Sequence, residues 1–291
     1  MTAALAFALA FAFTPLGGVA TANATRHGND AHKPVEVSVG DSGIHAPDSA
    51  QAGLVDFHVK TDDPKGRSLQ ALRPRHGVSI HKVLTDLAMA VGDNPAAAAK
   101  AVSSIRDEAE LYGGAHVTPS VSETFTTPIT AGTVTLLDFT AFLKDPAHPV
   151  THTLELHGNP SSKERADFPD SIVTTKHTEA GPRFEVHGLH KAEENILAHN
   201  ASDEIHEVAL QPVKPGTTDE QIQKAFSSPS AGEPPFTGPP LGLGAISPGR
   251  TTLLTMHHLP PGTYALICFV PDDKTGHPHV AMGMHKVVVL K

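Results

Sequence analysis

The chain has no tryptophan, two tyrosines and one cysteine in 291 residues. A single cysteine excludes any internal disulfide, so no cross-link can substitute for a packed core. Aromatic residues make up only 5%, which leaves the core mainly to aliphatic side chains. Basic residues are in deficit, with Lys plus Arg at 22 against Asp plus Glu at 31, a net charge of −9. That excludes the basic surface a nucleic-acid partner requires. No serine-histidine-acid set, phosphate loop or zinc HExxH motif stands out. The apolar stretch 3–13 (AALAFALAFAF) is too short to span a bilayer.

That stretch has another reading. It is followed by Pro15, Gly17 and Gly18 and then by small residues at 20–24 (ATANA). This is the pattern of a secretory signal peptide cut after Ala22 or Ala24, although no Lys or Arg precedes the apolar run. We therefore expect residues 1–24 to be a leader and 25–34 a flexible polar segment. The mature chain is then secreted or periplasmic, in the cell envelope, with no membrane span after cleavage. In an oxidising compartment an odd thiol implies a partner chain, an inert buried site or a metal.

Glycine (24) and proline (25) are abundant, and histidine numbers 20. Many turns and short strands follow from the first two. Strand patterns occur at 35–39, 54–59 and 69–72. The apolar spacing over 79–91 predicts a helix. Asn94 and Pro95 predict the start of a second helix, expected to run through Leu111 and stop at Gly113-Gly114. Strands resume at Val117, 125–127 and 134–139. The second half repeats this order. Strands are expected at 196–199 and 206–210. A helix is expected over 217–226, with Thr217 and Glu220 in capping-box spacing, then a Pro/Gly loop over 228–244. Strands follow at 251–256, 264–269 and 286–290.

The halves also match in letters. Residues 131–139 (AGTVTLLDF) lie over 261–269 (PGTYALICF), Lys144 over Lys274, and Gly77 over Gly216. These correspondences predict two tandem copies of one β-rich unit, 35–158 and 171–291. A polar linker, 159–170, would join them. Each copy carries a helical insertion. In the first copy Asp138 stands where the second has Cys268, with Arg67 aligned near His206. That pairing predicts a replacement ion pair and no metal in the first copy.

The second copy holds soft and borderline ligands close together: Cys268, then His277, His279, Met282 and Met284. A trigonal His2Cys set with a weak axial methionine is the donor set of a type 1 copper ion. His277 or His279, and Met282 or Met284, fit the local spacing equally. His206, following a polar turn and opening an apolar strand, is the best distant imidazole. Of the other histidines, His257, His258 and His285 read as surface residues.

With these residues in place, the second half resembles a cupredoxin, or blue-copper domain. The order is an Asn-containing turn, a His opening a strand, Pro-Gly-Thr-Tyr-x-x-x-Cys, then Pro-His-x-x-x-x-Met. The resemblance covers about residues 171–291 and reaches the first half only through the repeat. It implies a mostly β protein of two tandem Greek-key β-sandwich, cupredoxin-like domains. It also implies one copper ion in the C-terminal domain, held by His206, Cys268, His279 and Met284, with His277 and Met282 as alternates. Two features depart from the family. Ten residues separate Cys268 from His279, a long loop with a high ordering cost, and Glu207 follows His206 where many members carry Asn. A redox or copper-exchange protein partner is implied. The function expected is electron transfer or copper carriage, not catalysis. An alternative is a metal-free β-sandwich binding module at the cell surface, in which Cys268 is a small buried hydrophobe. A two-domain copper oxidase or nitrite reductase needs further His-x-His pairs, and only His277-Pro-His279 is present.

Overall fold

Alternation writes the strands. In Gly53–Lys60 every second residue is buried, which points Val55, Phe57 and Val59 to one side of a sheet. The computed structural model describes residues 33–158, 166–227 and 233–291. The expected signal peptide, most of the 25–34 segment, part of the 159–170 linker and the start of the 228–244 loop lie outside the described residues.

The first half contributes β1 (Val35–Gly40), β2 (Gly43–His45), β3 (Ser49–Gln51), β4 (Gly53–Lys60), β5 (Arg67–Pro74), β6 (Ala109–Val117), β7 (Ser122–Ile129), β8 (Gly132–Asp138) and β9 (Thr151–His157). The second contributes β10 (Ser171–Thr178), β11 (Gly181–His187), β12 (Asn195–Asn200), β13 (His206–Pro212), β14 (Leu241–Ile246), β15 (Thr251–His257), β16 (Gly262–Ile267) and β17 (His285–Leu290). Among the described residues four α-helices are inserted: α1 (Ile80–Ala90), α2 (Pro95–Glu108), α3 (Phe139–Lys144) and α4 (Asp219–Ser227). The fold is thus mostly β, in two sheets that pack face to face.

One sheet runs β11-β10-β12-β15-β7-β4-β1-β2 and the other β17-β16-β13-β14-β6-β5-β8-β9-β3. Both are continuous across the two halves of the chain. They join through antiparallel pairs, β15 to β7 and β14 to β6. On either side of the join the orders mirror each other, and β1 lies parallel to β4 as β10 does to β12. The core between the sheets is aliphatic apart from a few rings, among them Phe57 stacked on Phe125 at 4.7 Å. Strands β5 and β6 are buried on both faces because helices cover their outer side. Val83, Val102 and Ile105 pack on Leu72 and Leu111 there.

Local chemistry sets the helix ends. Ser79 accepts the Lys82 N–H to cap α1, and Asn94 accepts the Ala97 N–H to cap α2. Helix α2 stops at Glu108, five residues before the expected glycine pair, and residues 109–117 are strand β6. The glycines serve the sheet instead. A side chain at Gly114 would lie 1.9 Å from the Leu69 carbonyl oxygen, and Gly113 takes φ +102° at a bulge in β6, where Tyr112 is the extra residue opposite Ala71 and Leu72. The reciprocal cap of α4 is Thr218 with Gln221, one residue on from the expected pair. Phe139 leaves its strand because the Asp138 carboxylate accepts the Ala141 N–H and starts α3.

Asp138 has a second role. Its carboxylate accepts from Arg67 Nη1 at 3.1 Å, both side chains being buried, so the expected pair is present. Arg67 also donates to Asp63 at 2.7 Å and to Asp41. Burial works to lower the guanidinium pKa, and the carboxylates led by Asp138 outweigh it, so it is raised. Replacing Arg67 by Met leaves Asp138 buried without its partner. We expect a loss of about 3–5 kcal/mol in denaturant unfolding. Much of it should return in the Arg67→Met/Asp138→Leu double variant, which removes both charges.

Glu123 on β7 is the opposite case. It is fully buried at the join, where the backbone N–H groups of Gly242 and His116 lie near its carboxyl oxygens without good hydrogen-bond geometry, so they offset little of the cost of burial. Burial pushes its carboxyl well above the ordinary value of 4.5. In the unfolded chain this group ionises near its ordinary value, while in the fold it keeps its proton. Its contribution therefore weakens as pH rises above that value, by about 1.4 kcal/mol per pH unit until the folded group itself ionises. Glu123→Gln should melt close to the native protein at pH 4 and distinctly higher at pH 8, by calorimetry. An equal difference at both pH values would contradict this account.

Candidate metal centre

Two separate stretches of chain build the site. The first is the turn before β13. Asn200, fully buried, donates through Nδ2 to the carbonyls of Glu204 (2.8 Å) and Ile246 (3.1 Å). Its Oδ1 accepts from the hydroxyls of Thr175 and Ser202 and from the Ser202 N–H. One amide thereby fixes the turn 201–205. A bulge between His206 and Val208 then opens β13 with His206 buried.

The second stretch begins where β16 ends. Cys268 is fully buried and precedes the long loop. The loop is ordered from within. Asp272 Oδ1 accepts from the N–H groups of Lys274 and Thr275 and from the Thr275 hydroxyl. Its ends are drawn together by His279 N–H to Val270 O (3.0 Å) and Val280 N–H to Cys268 O (2.8 Å). The loop is also braced by the helical hairpin. Arg106 of α2 pairs with Asp273, and Gly276, at φ +70°, lies against the N-terminus of α2. A Cβ at Gly276 would fall 1.8 Å from the Pro95 carbonyl oxygen, so only glycine permits this approach. His279 opens a short 3-10 helix, His279–Met282. Gly283, at φ +94°, ends it, and the Met284 N–H donates to the His279 carbonyl.

Three donor atoms converge. His206 Nδ1 and His279 Nδ1 are 3.1 Å apart, and Cys268 Sγ lies 3.8 Å from the first and 3.4 Å from the second. The point equidistant from these three atoms lies about 2.0 Å from each, close to the length of a metal–imidazole bond. Soft sulfur with two imidazoles suits copper. All three residues are fully buried, as is Met284. His277 is exposed. Met282 is half-buried, its sulfur 4.0 Å from the Thr275 hydroxyl.

The surroundings orient the donors. His279 Nε2 lies 2.8 Å from Glu204 Oε2, a carboxylate only 2% exposed. That contact holds the ring with Nδ1 turned to the centre, as a carboxylate behind a ligating imidazole does. Burial, aided by the neighbouring His279 and His177, pushes His206 down to about 2, so its ring stays neutral. Burial, aided by the Glu207 charge, pushes the Cys268 thiol up, against the Glu207 N–H that reaches Sγ at 3.5 Å. Glu207 does not point away: its Oε1 accepts the Phe269 N–H at 2.5 Å.

Several contributors escaped the sequence reading. Glu204 sits in Ser-Asp-Glu-Ile-His with nothing to separate it from Asp203. Asp272, Arg106 and Gly276 act through contacts that only the folded chain creates. His285, expected on the surface, is held between Asp219 and Gln223 at 3.1 Å from each.

No family model matches the chain, and no curated protein matches it in sequence. Solved structures do. A reduced auracyanin from Roseiflexus castenholzii is 15% identical over 41% of this chain and 94% of its own, with a TM-score of 0.26. Reduced rusticyanin is 19% identical over 41% of this chain and 76% of its own, at 0.25. A copper nitrite reductase from Nitrosomonas europaea is 11% identical over 89% of this chain and 94% of its own, at 0.24. With identities and scores this low, the reading of the centre rests on its own geometry.

Proposed function

We propose that the chain is an exported mononuclear copper protein of cupredoxin type, with His206, Cys268 and His279 as the strong donors and Met284 as the weak axial one. The observation that carries it is the convergence of two imidazole nitrogens and one sulfur, from stretches more than 60 residues apart, around a single point. Bound copper would supply a one-electron couple. The chain's own part is to hold the donors rigid, keep His206 neutral, fix the His279 ring through Glu204 and exclude water by burial.

Electron transfer is favoured over copper carriage. A carrier needs an open, exchangeable donor, and here all are enclosed beneath an internally bonded loop. The two-domain reading belongs to the same proposal. The mirrored strand orders support it, as does the Asp138–Arg67 pair on the first half's counterpart of the ligand strand. Residues 35–158 would form a domain without metal and 171–291 the copper domain. Export rests on the apolar run 3–13 and the small residues after it. Among the described residues no helix is long and apolar enough to cross a membrane. A redox protein is the partner this reading requires.

Adding one equivalent of Cu(II) to the purified chain should give an intense visible thiolate-to-copper absorption, absent in Cys268→Ala. Copper held at 1,000 times its Kd should add about 4 kcal/mol to unfolding stability. A chain that stays colourless and melts unchanged with copper would be the metal-free module instead. Gly276→Ala should strain the loop at a left-handed position and drive it off Pro95, at roughly 1–3 kcal/mol. We expect copper to transfer to a chelator at least about tenfold faster from this variant, in stopped-flow absorbance, with the strand signature in far-UV circular dichroism retained.

A further inference from the structure

A cavity of about 460 Å³ lies between the α1–α2 hairpin and the sheet beneath it. Its wall is largely aliphatic. Leu72, Leu87, Val102 and Ile105 form one side, and Phe269 and Val270, next to the thiol, form part of the other. The cavity is partly open to the surface, and its volume is in the range of small-molecule sites.

One part of the wall is polar. Ser68, His116 and Glu207 meet there. His116 is 9% exposed, and its Nδ1 lies 2.7 Å from the Ser68 hydroxyl. Its Nε2 is buried with no hydrogen-bond partner, 3.8 Å from Glu207 Oε2, which is too far for a direct bond. If Ser68 donates to Nδ1, Nε2 carries the proton and is a free donor, and Glu207 Oε2 beside it is an acceptor. Gln70, also in the wall, is already engaged by the backbone of Ala71, Gly113 and Ala245. A single group that accepts and donates at once would satisfy both open atoms. A carboxylate would meet the Glu207 charge, and an ammonium would have to leave water for an aliphatic wall.

We propose that this cavity binds a neutral aliphatic alcohol, its hydroxyl accepting from His116 Nε2 and donating to Glu207 Oε2, its chain lying along the hairpin. The site is independent of copper, although it borders the metal centre through Glu207 and Phe269.

The test uses the full chain stripped of metal by chelation, so that copper binding does not enter. Calorimetric titration with 1-octanol should saturate at one molecule per chain. Methyl heptyl ether, which cannot donate to Glu207, should bind at least tenfold more weakly, and octanoate more weakly still. His116→Phe should abolish the preference for the alcohol over the ether. Leu87→Trp should fill the cavity and remove binding while the chain still melts cooperatively. Ala245→Leu, from the sheet side, does the same if the first variant fails to fold. Absence of saturable octanol binding, equal affinity for the ether, or unchanged binding in a folded cavity-filling variant would each overturn the proposal.

Discussion

Two backbone hydrogen bonds, His279 N–H to Val270 and Val280 N–H to Cys268, hold a ten-residue excursion shut. Everything at the centre depends on that closure. A loop of this length costs ordering entropy that grows with its size, and the sequence offers no disulfide to offset it. The structure recovers the cost in small parts. Asp272 satisfies three donors inside the loop, Arg106 pairs with Asp273, and Gly276 packs on Pro95. Two of those three supports involve α2, so the half of the chain without the thiol orders the loop that follows the thiol.

The strands β8 and β16 present one buried position in two chemistries. At the end of β8 Asp138 neutralises Arg67 and caps a helix. Just past β16 Cys268 faces two imidazoles. An unpaired carboxylate would be costly at a buried site, whereas a thiol could merely fill space there. Each is explained by its partners, and the partners come from the neighbouring strand in both cases, Arg67 on β5 and His206 on β13.

The alternation of β4, the apolar spacing of α1, the capped start of α2 and the segment from Cys268 to Met284 were all legible in the sequence, because each is a local signal. What was not legible is instructive in the same terms. Gly113-Gly114 reads as a helix stop, yet it answers to the carbonyl of Leu69 across a strand pair. Strand β11 forms the sheet edge with β10 next to it, and both mix polar and apolar residues, so the apolar period in their sequence is weak. Glu204 differs from Asp203 only in which way the turn aims it, and Asn200 decides that through bonds to Ile246 and Thr175, both remote in sequence.

Glu204 also settles how the centre faces the outside. With Nε2 of His279 held by a buried carboxylate, the ring presents no edge to solvent. His206 is equally enclosed. The other oxygen of Glu204 lies 3.8 Å from Nδ1 of His177, whose side chain is 40% exposed. If copper is held as proposed, an electron leaving by the imidazole side would have a polar path, from His279 to Glu204 at 2.8 Å and on to the partly exposed His177 at 3.8 Å. On the proposed reading, this enclosure would slow exchange of the ion without isolating it from a redox partner, because electrons cross a few ångströms of packed protein where a metal ion cannot. Within the proposed copper reading, a closed centre with a polar route outward among the described residues favours electron transfer over delivery of the ion.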